Sequence, residues 1–313
     1  LVMSGPQTIA TTGKLTVLGD AANSGQLSAF GGQTISAHAV DVVALDGGFA
    51  FVSNNGFGDQ VIAVAGGGSS AGLDVRTEAG SGVASIQNNA FGATQLIQVT
   101  DADHISVNGL GSAGASIFAI PGNQVISITG SGANAINVGS SDARGFSNLG
   151  ASNQFVTAGA AGEAGSITII GSDGNQRLAG FVSQPGAGNA QTVSTSGALT
   201  IIGGDAPAQL TNFPAGIFHN GTGQQTISAQ SIVLQGGATG VNNSAQIGAN
   251  NGTQLVNAGG IVLTGGSGGS NNTALLRAGG LQTIVADEIT VNAGAGGIGN
   301  FAVVVSPLQD ITV

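Results

Sequence analysis

The chain has 313 residues, of which 57 are glycine and only 6% are charged, with a formal net charge of −10. A charge content far below the usual ~25% leaves too few polar side chains for long solvated helices, while 41% apolar residues exclude a flexible glycine-serine linker. The basic residues are Lys14, Arg76, Arg144, Arg177 and Arg277; five of them supply no footprint for a nucleic acid or an anionic membrane.

No cysteine is present, so disulfides, thiolate catalysis and cysteine-ligated metals are excluded. The longest strongly apolar run covers 301–305, against ~18 residues for a membrane span, and membrane insertion is not expected.

Taken in chain order, the first element is Gln7-Thr-Ile9. It returns at Gln33, Gln60, Gln95, Gln124, Gln154, Gln191, Gln225, Gln254, Gln282 and Gln309. From position 7 to position 309, ten intervals average about 30 residues. The residue two places after each glutamine is always Ile or Val: Ile9, Ile35, Ile62, Ile97, Ile126, Val156, Val193, Ile227, Val256, Ile284 and Ile311.

A second element follows each glutamine, from Leu15-Thr-Val17 and Val40-Asp-Val42 to Ile261-Val-Leu263 and Ile289-Thr-Val291. Aliphatic residues flank a mostly polar centre, the alternation of a half-buried strand. A third, looser apolar element precedes the next glutamine, as at Phe49-Ala-Phe51, Ile117-Phe118 and Leu275-Leu276.

Three short strands per ~30 residues bury nothing alone, but stacked copies share one continuous interior. The pattern predicts an all-β parallel β-helix with three strands per coil, about ten coils of about 30 residues, in one solenoid domain over 1–313. At about 4.8 Å per coil it is a rod of roughly 50 Å. A β-propeller is the alternative, although blades usually need about 40 residues and four strands. The longer intervals after Gln60, Gln154 and Gln191 read as loops bulging from the rod.

Alternation places each glutamine on the same side as the inward Ile or Val. A lone buried amide is costly, but a column can pair rung to rung as stacked Gln ladders do. The glutamines are therefore read as architectural; an outward corner position is the alternative.

Units such as Gln225-Thr-Ile-Ser-Ala-Gln-Ser-Ile-Val-Leu-Gln-Gly-Gly237 resemble, in repeat style, the repeat regions of large secreted bacterial adhesins of the filamentous-haemagglutinin type. The resemblance implies an extracellular or bacterial cell-surface location and transfers no functional residue.

Candidate chemistry is sparse. Asp101, Asp103 and His104 are adjacent, and Asp74, Arg76 and Glu78 alternate on one strand. A solvated turn and a surface ion pair are the favoured readings, with a calcium or acid/base site as the sharper ones. Trp and Tyr are absent, which counts against a sugar-stacking platform. Phe57 and Phe91, in Asn-Asn-x-Phe-Gly contexts, read as corner plugs of the core. No catalytic, cofactor-binding or metal residue is assigned.

Two apolar surfaces are expected to make contacts. The residue after each glutamine points outward, and Val61, Leu96, Val125 and Phe155 place an apolar strip on four successive coils. The ends look uncapped: Leu1, Val2 and Met3 read as a third strand of a preceding coil, and Ile311 and Val313 belong to a fresh first strand.

The expectation is a non-enzymatic extracellular structural protein, with itself as partner in a head-to-tail homopolymer and other surface or matrix proteins as further contacts. A spacer or binding segment of a larger adhesin and a carbohydrate-active β-helix enzyme are the alternatives.

Overall fold

The computed structural model describes residues 1–67, 71–78, 81–110, 114–139, 146–172, 178–205 and 214–313. Arg144 and Arg177 fall outside the described residues, as do parts of the long loops expected after Gln60, Gln154 and Gln191. The fold is an all-β parallel solenoid, the architecture that the repeat predicts.

Among the described residues, 26 strands make one continuous sheet in which every paired strand is parallel to its neighbour. The fold is organised by a register that the sequence repeats. Gln7 pairs with Gln33, Gln33 with Gln60, Gln60 with Gln95 and Gln95 with Gln124, and so on to Gln282 with Gln309. Each coil thus adds its first strand directly onto the first strand of the coil before. Second strands stack likewise, from Leu15 on Val40 to Ile261 on Ile289.

The core is a three-sided prism of aliphatic columns. Ile35, Ile62, Ile97 and Ile126 line it from the first strands, Val40, Leu73, Ile105 and Ile136 from the second, and Ile86, Ile117, Leu149 and Phe181 from the third; all are fully buried. Each burial stabilises by roughly 1.5–3 kcal/mol before entropy is counted. β-branched and aliphatic side chains suit this role because identical neighbours nest at the coil spacing. The second-strand pattern persists to the C-terminal coil, where Val291 is exposed at the end of its column, as Ile311 is at the end of the first-strand column.

Glycine has a defined task at the corner between second and third strands. Gly204, Gly237, Gly266 and Gly294 occupy equivalent places in successive coils. A Cβ on Gly237 would overlap the carbonyl oxygen of Gly204, one on Gly266 that of Gly237, and one on Gly294 that of Gly266. Only a residue without a side chain lets the backbones approach so closely.

Asparagines, not phenylalanines, fill the corners. Asn54 and Asn88 are buried, and Asn54 Nδ2 donates to Asn88 Oδ1 at 3.0 Å. Phe57 and Phe91, expected as core plugs, are instead 84% and 87% exposed. The reason is local. Each follows a corner whose interior the asparagine already fills, and the tight turn aims the next side chain at solvent. The described phenylalanines buried within the fold are Phe181 and Phe218.

Candidate functional site

The glutamine column is the most regular polar feature. Gln33 Nε2 donates to Gln7 Oε1 at 2.7 Å, Gln60 to Gln33 at 2.8 Å and Gln95 to Gln60 at 2.7 Å. The same bond joins Gln124 to Gln95, Gln154 to Gln124 and Gln191 to Gln154, each at 2.8 Å. It continues through Gln225, Gln254 and Gln282 to Gln309, with distances of 2.6–2.8 Å. In every rung the later glutamine donates and the earlier one accepts, so the ladder has a single polarity.

The ladder also ties strands together across a corner. Gln124 Nε2 donates to Ile117 O at 3.2 Å, Gln154 Nε2 to Leu149 O at 3.1 Å and Gln95 Nε2 to Phe118 O at 3.0 Å. Each amide therefore links a first strand to a third-strand carbonyl as well as to the next coil.

Polarity makes the two ends of the ladder different. Gln7 Nε2 is buried with no partner, while Gln309 presents its carboxamide oxygen on an exposed strand. Around these, Leu1, Val2 and Met3 lie exposed at one end, and Ile311 and Val313 at the other. Val2 forms a parallel bridge with Ser28, and Met3 N–H donates to Ser28 O at 2.9 Å. The first residues thus run alongside the third strand Gly25–Ala29.

The outward apolar residues of the first strands fall in one column: Val61 pairs with Leu96, Leu96 with Val125 and Val125 with Phe155. Val61, Leu96 and Val125 are half-buried by their own neighbours, and Phe155 is the most open of the four at 41%.

Several titratable groups on the described residues are engaged locally. Asp41, nearly buried on a second strand, meets Lys14 Nζ at 2.5 Å and Arg76 at 3.6 Å, and Arg76 also reaches Glu78 at 3.4 Å. His104 Nε2 meets Asp74 at 3.2 Å. That bond, with the charges of Asp74, Asp103 and Asp41, holds the imidazole above its ordinary range against partial burial. Asp101 is separate: it accepts from Ser131 N–H at 2.9 Å and Ser131 Oγ at 3.1 Å, which lowers its pKa. The structure therefore divides Asp101 from the His104 pair. Among the described residues, no three His, Asp or Glu side chains gather as metal ligands.

His219 is a further buried titratable group. Its Nε2–H donates to Gly223 O at 3.1 Å, and its Nδ1 accepts from Ser183 Oγ at 2.5 Å. Burial holds its pKa below the ordinary range, partly opposed by the Gly223 carbonyl.

One concave surface also lay outside the sequence reading. Third strands carry two outward columns: Gly180, Gly216, Gln246, Leu275 in one, and Val182, Phe218, Gly248, Arg277 in the other. Paired glycines leave bare backbone there, and Phe218 folds back over Gly216, whose Cβ would lie 2.7 Å from the ring. A groove of about 700 Å³ results, bounded by Asn220 and Asn250 at one corner and by Asn242, Ser244, Asn271 and Thr273 at the other. Its signal in sequence is the loss of outward side chains at Gly180, Gly216 and Gly248, which is visible only once the strand register is known.

Compared with family models, with curated proteins and with solved structures, the chain matches none.

Proposed function

We propose that the chain is a non-enzymatic structural rod of the cell exterior, whose copies stack end to end through their terminal coils. The observation that carries this reading is the polarity of the ladder. A buried donor without a partner, Gln7 Nε2, sits at one end, and the acceptor oxygen of Gln309 sits at the other. Set coaxially, Gln7 of one copy becomes the rung above Gln309 of the next. An unpaired parallel strand at each end then gains a partner. Such a contact is heterologous and does not close, so it propagates as a fibre.

The extracellular setting rests on the repeat style shared with secreted adhesins and on the low charge of the chain. The same end chemistry suits a segment of a longer solenoid, in which the next coil comes from the same molecule. The test is the behaviour of residues 1–313 in solution. Stacking predicts concentration-dependent fibres by negative-stain microscopy, and Gln309→Arg, which sets a donor-only group against the Gln7 donor, abolishes them without unfolding the coils. A chain that stays monomeric at high concentration overturns the stacking and leaves the segment reading.

A further inference from the structure

One buried column of the rod mixes residue types. On the third strands the register runs Ala29, Asn54, Asn88, Ala119, Ala151, Ser183, His219, Ala249 and Ala278, one residue per coil. The column lies where a third strand turns towards the next ladder glutamine, and both Asn54 and His219 are fully buried in it.

Asn54 and His219 make equivalent bonds. Asn54 Nδ2 donates to Gly58 O at 2.7 Å, and His219 Nε2 donates to Gly223 O at 3.1 Å. Each side chain closes the turn that leads to a rung of the ladder, Gln60 in one coil and Gln225 in the other. Each turn is also stitched to the coil before it. Asn55 N–H donates to Ala29 O at 2.9 Å, Asn220 N–H to Ser183 O at 3.2 Å and Thr222 N–H to Gly186 O at 3.1 Å. The two latches differ in that an amide does not titrate and an imidazole does.

The bonds around His219 fix its tautomer. A carbonyl oxygen only accepts, so Nε2 carries the hydrogen and Nδ1 is the bare nitrogen that takes the Ser183 hydroxyl at 2.5 Å. A second proton must go to Nδ1, against the hydrogen that Ser183 points there, and it puts a full charge on a side chain with no exposed surface. The segments packed around the ring, 179–195, 215–235 and 245–257, contain no other titratable residue. Strands Ser166–Ile170 and Ala198–Ile202, which meet this strand across the core, contain none either. Among the described residues, the charged group that reaches this corner is Arg277, whose Nη2 donates to Asn250 Oδ1 while Asn250 N–H donates to His219 O at 2.8 Å. Its sign opposes an imidazolium.

We infer that His219 is an acid-released latch: neutral, it holds the turn 219–223 and the Gln225 rung in place, and protonation frees them while the Asn54 turn stays closed. Gln225 Nε2 donates to Gln191 Oε1 at 2.8 Å, so the released turn carries a tie between two coils. The device lies inside the rod and does not depend on end-to-end stacking. Its sign follows from the closed site. An open turn gives the imidazole its ordinary affinity for a proton, which the closed turn refuses, so opening is favoured as pH falls below about 6.5. The open population rises by up to about tenfold per pH unit until the folded ring itself takes the proton.

The test is backbone hydrogen exchange of the full chain at about pH 7.5 and about pH 5.5, corrected for the intrinsic pH dependence of exchange, in wild type and His219→Asn. In wild type, Asn220 and Thr222 are expected to lose up to about tenfold in protection at the lower pH, while Asn55 keeps its protection. His219→Asn supplies the side chain that serves at position 54 and should make Asn220 and Thr222 as indifferent to pH as Asn55. Should that variant misfold by circular dichroism, the wild-type contrast between Asn220 and Asn55 carries the test, and the loss at Asn220 must level off at the pH where the folded His219 ring titrates by NMR. Unchanged protection of Asn220 and Thr222 in acid, an equal loss at Asn55, or an equal loss in folded His219→Asn each overturns the assignment, as does a loss at Asn220 that continues past the ring titration.

Discussion

Gln154 Nε2 donates to Gln124 Oε1 at 2.8 Å while the same amide reaches Leu149 O at 3.1 Å. One side chain thus binds the coil before it and the corner beside it. Replacing Gln154 with Leu leaves Gln124 Oε1 without its donor and Gln191 Nε2 without its acceptor, both buried. The expected loss is about 1–3 kcal/mol, read from urea midpoints. Adding Gln124→Leu removes two rungs that share a bond, so the double variant should lose less than the sum. Additive losses would mean that the ladder bonds contribute nothing as pairs.

The corners provide a second comparison. Asn54→Leu removes the bond to Asn88 and another to Gly58 O at 2.7 Å, and should cost about 1–3 kcal/mol. Phe57→Ser, three residues on and largely in solvent, should change stability by less than about 0.5 kcal/mol. Thermal or urea unfolding of the two variants decides it; a larger loss for Phe57→Ser would restore phenylalanine as the corner plug.

Gly237 tests the close backbone stack. Its would-be Cβ overlaps Gly204 O and lies 2.6 Å from the Asn243 Cβ, so Gly237→Ala must push two coils apart. A destabilisation of about 1–3 kcal/mol is expected from overpacking, whereas an alanine at Gly67, where a Cβ meets nothing within 4 Å, should be tolerated. Equal effects at both positions would contradict the role given to the glycine column.

Two histidines predict opposite pH dependences. For His219 the folded pKa lies below the ordinary 6.5. As pH falls below about 6.5 the unfolded chain takes up a proton that the folded one refuses, so stability drops towards acid until the folded value is reached. For His104 the folded pKa lies above 6.5. Its stabilisation is complete below about 6.5 and is lost as pH rises through the folded value. NMR titration of the ring protons should therefore place His104 above and His219 below the ordinary range, and His219→Asn should flatten the acid-side loss of stability. Coincident titrations would refute the assigned environments.

Much of this fold was legible because two periodicities coincide. The ~30-residue return of glutamine sets the coil, and the Gln-x-Ile/Val alternation sets which side faces in, so register follows from reading Gln33 against Gln60. The corners were not legible in the same way. Asn54 and Phe57 both sit in a glycine-rich turn, and which of them enters the core depends on backbone direction at single positions, which period-two reasoning does not reach. The groove was hidden for a related reason. Gly180, Gly216 and Gly248 are ordinary glycines in a chain of 57, and they form a depression only after stacking places them on one face.

The most direct measurement on the account is cryo-electron microscopy of residues 1–313 at high concentration. The account predicts unbranched fibres one solenoid wide, with the ~4.8 Å coil spacing continuing unbroken across each junction and Gln7 placed over Gln309 of the adjoining copy. Discrete monomers, or copies joined side to side with both ladder ends facing solvent, would contradict it.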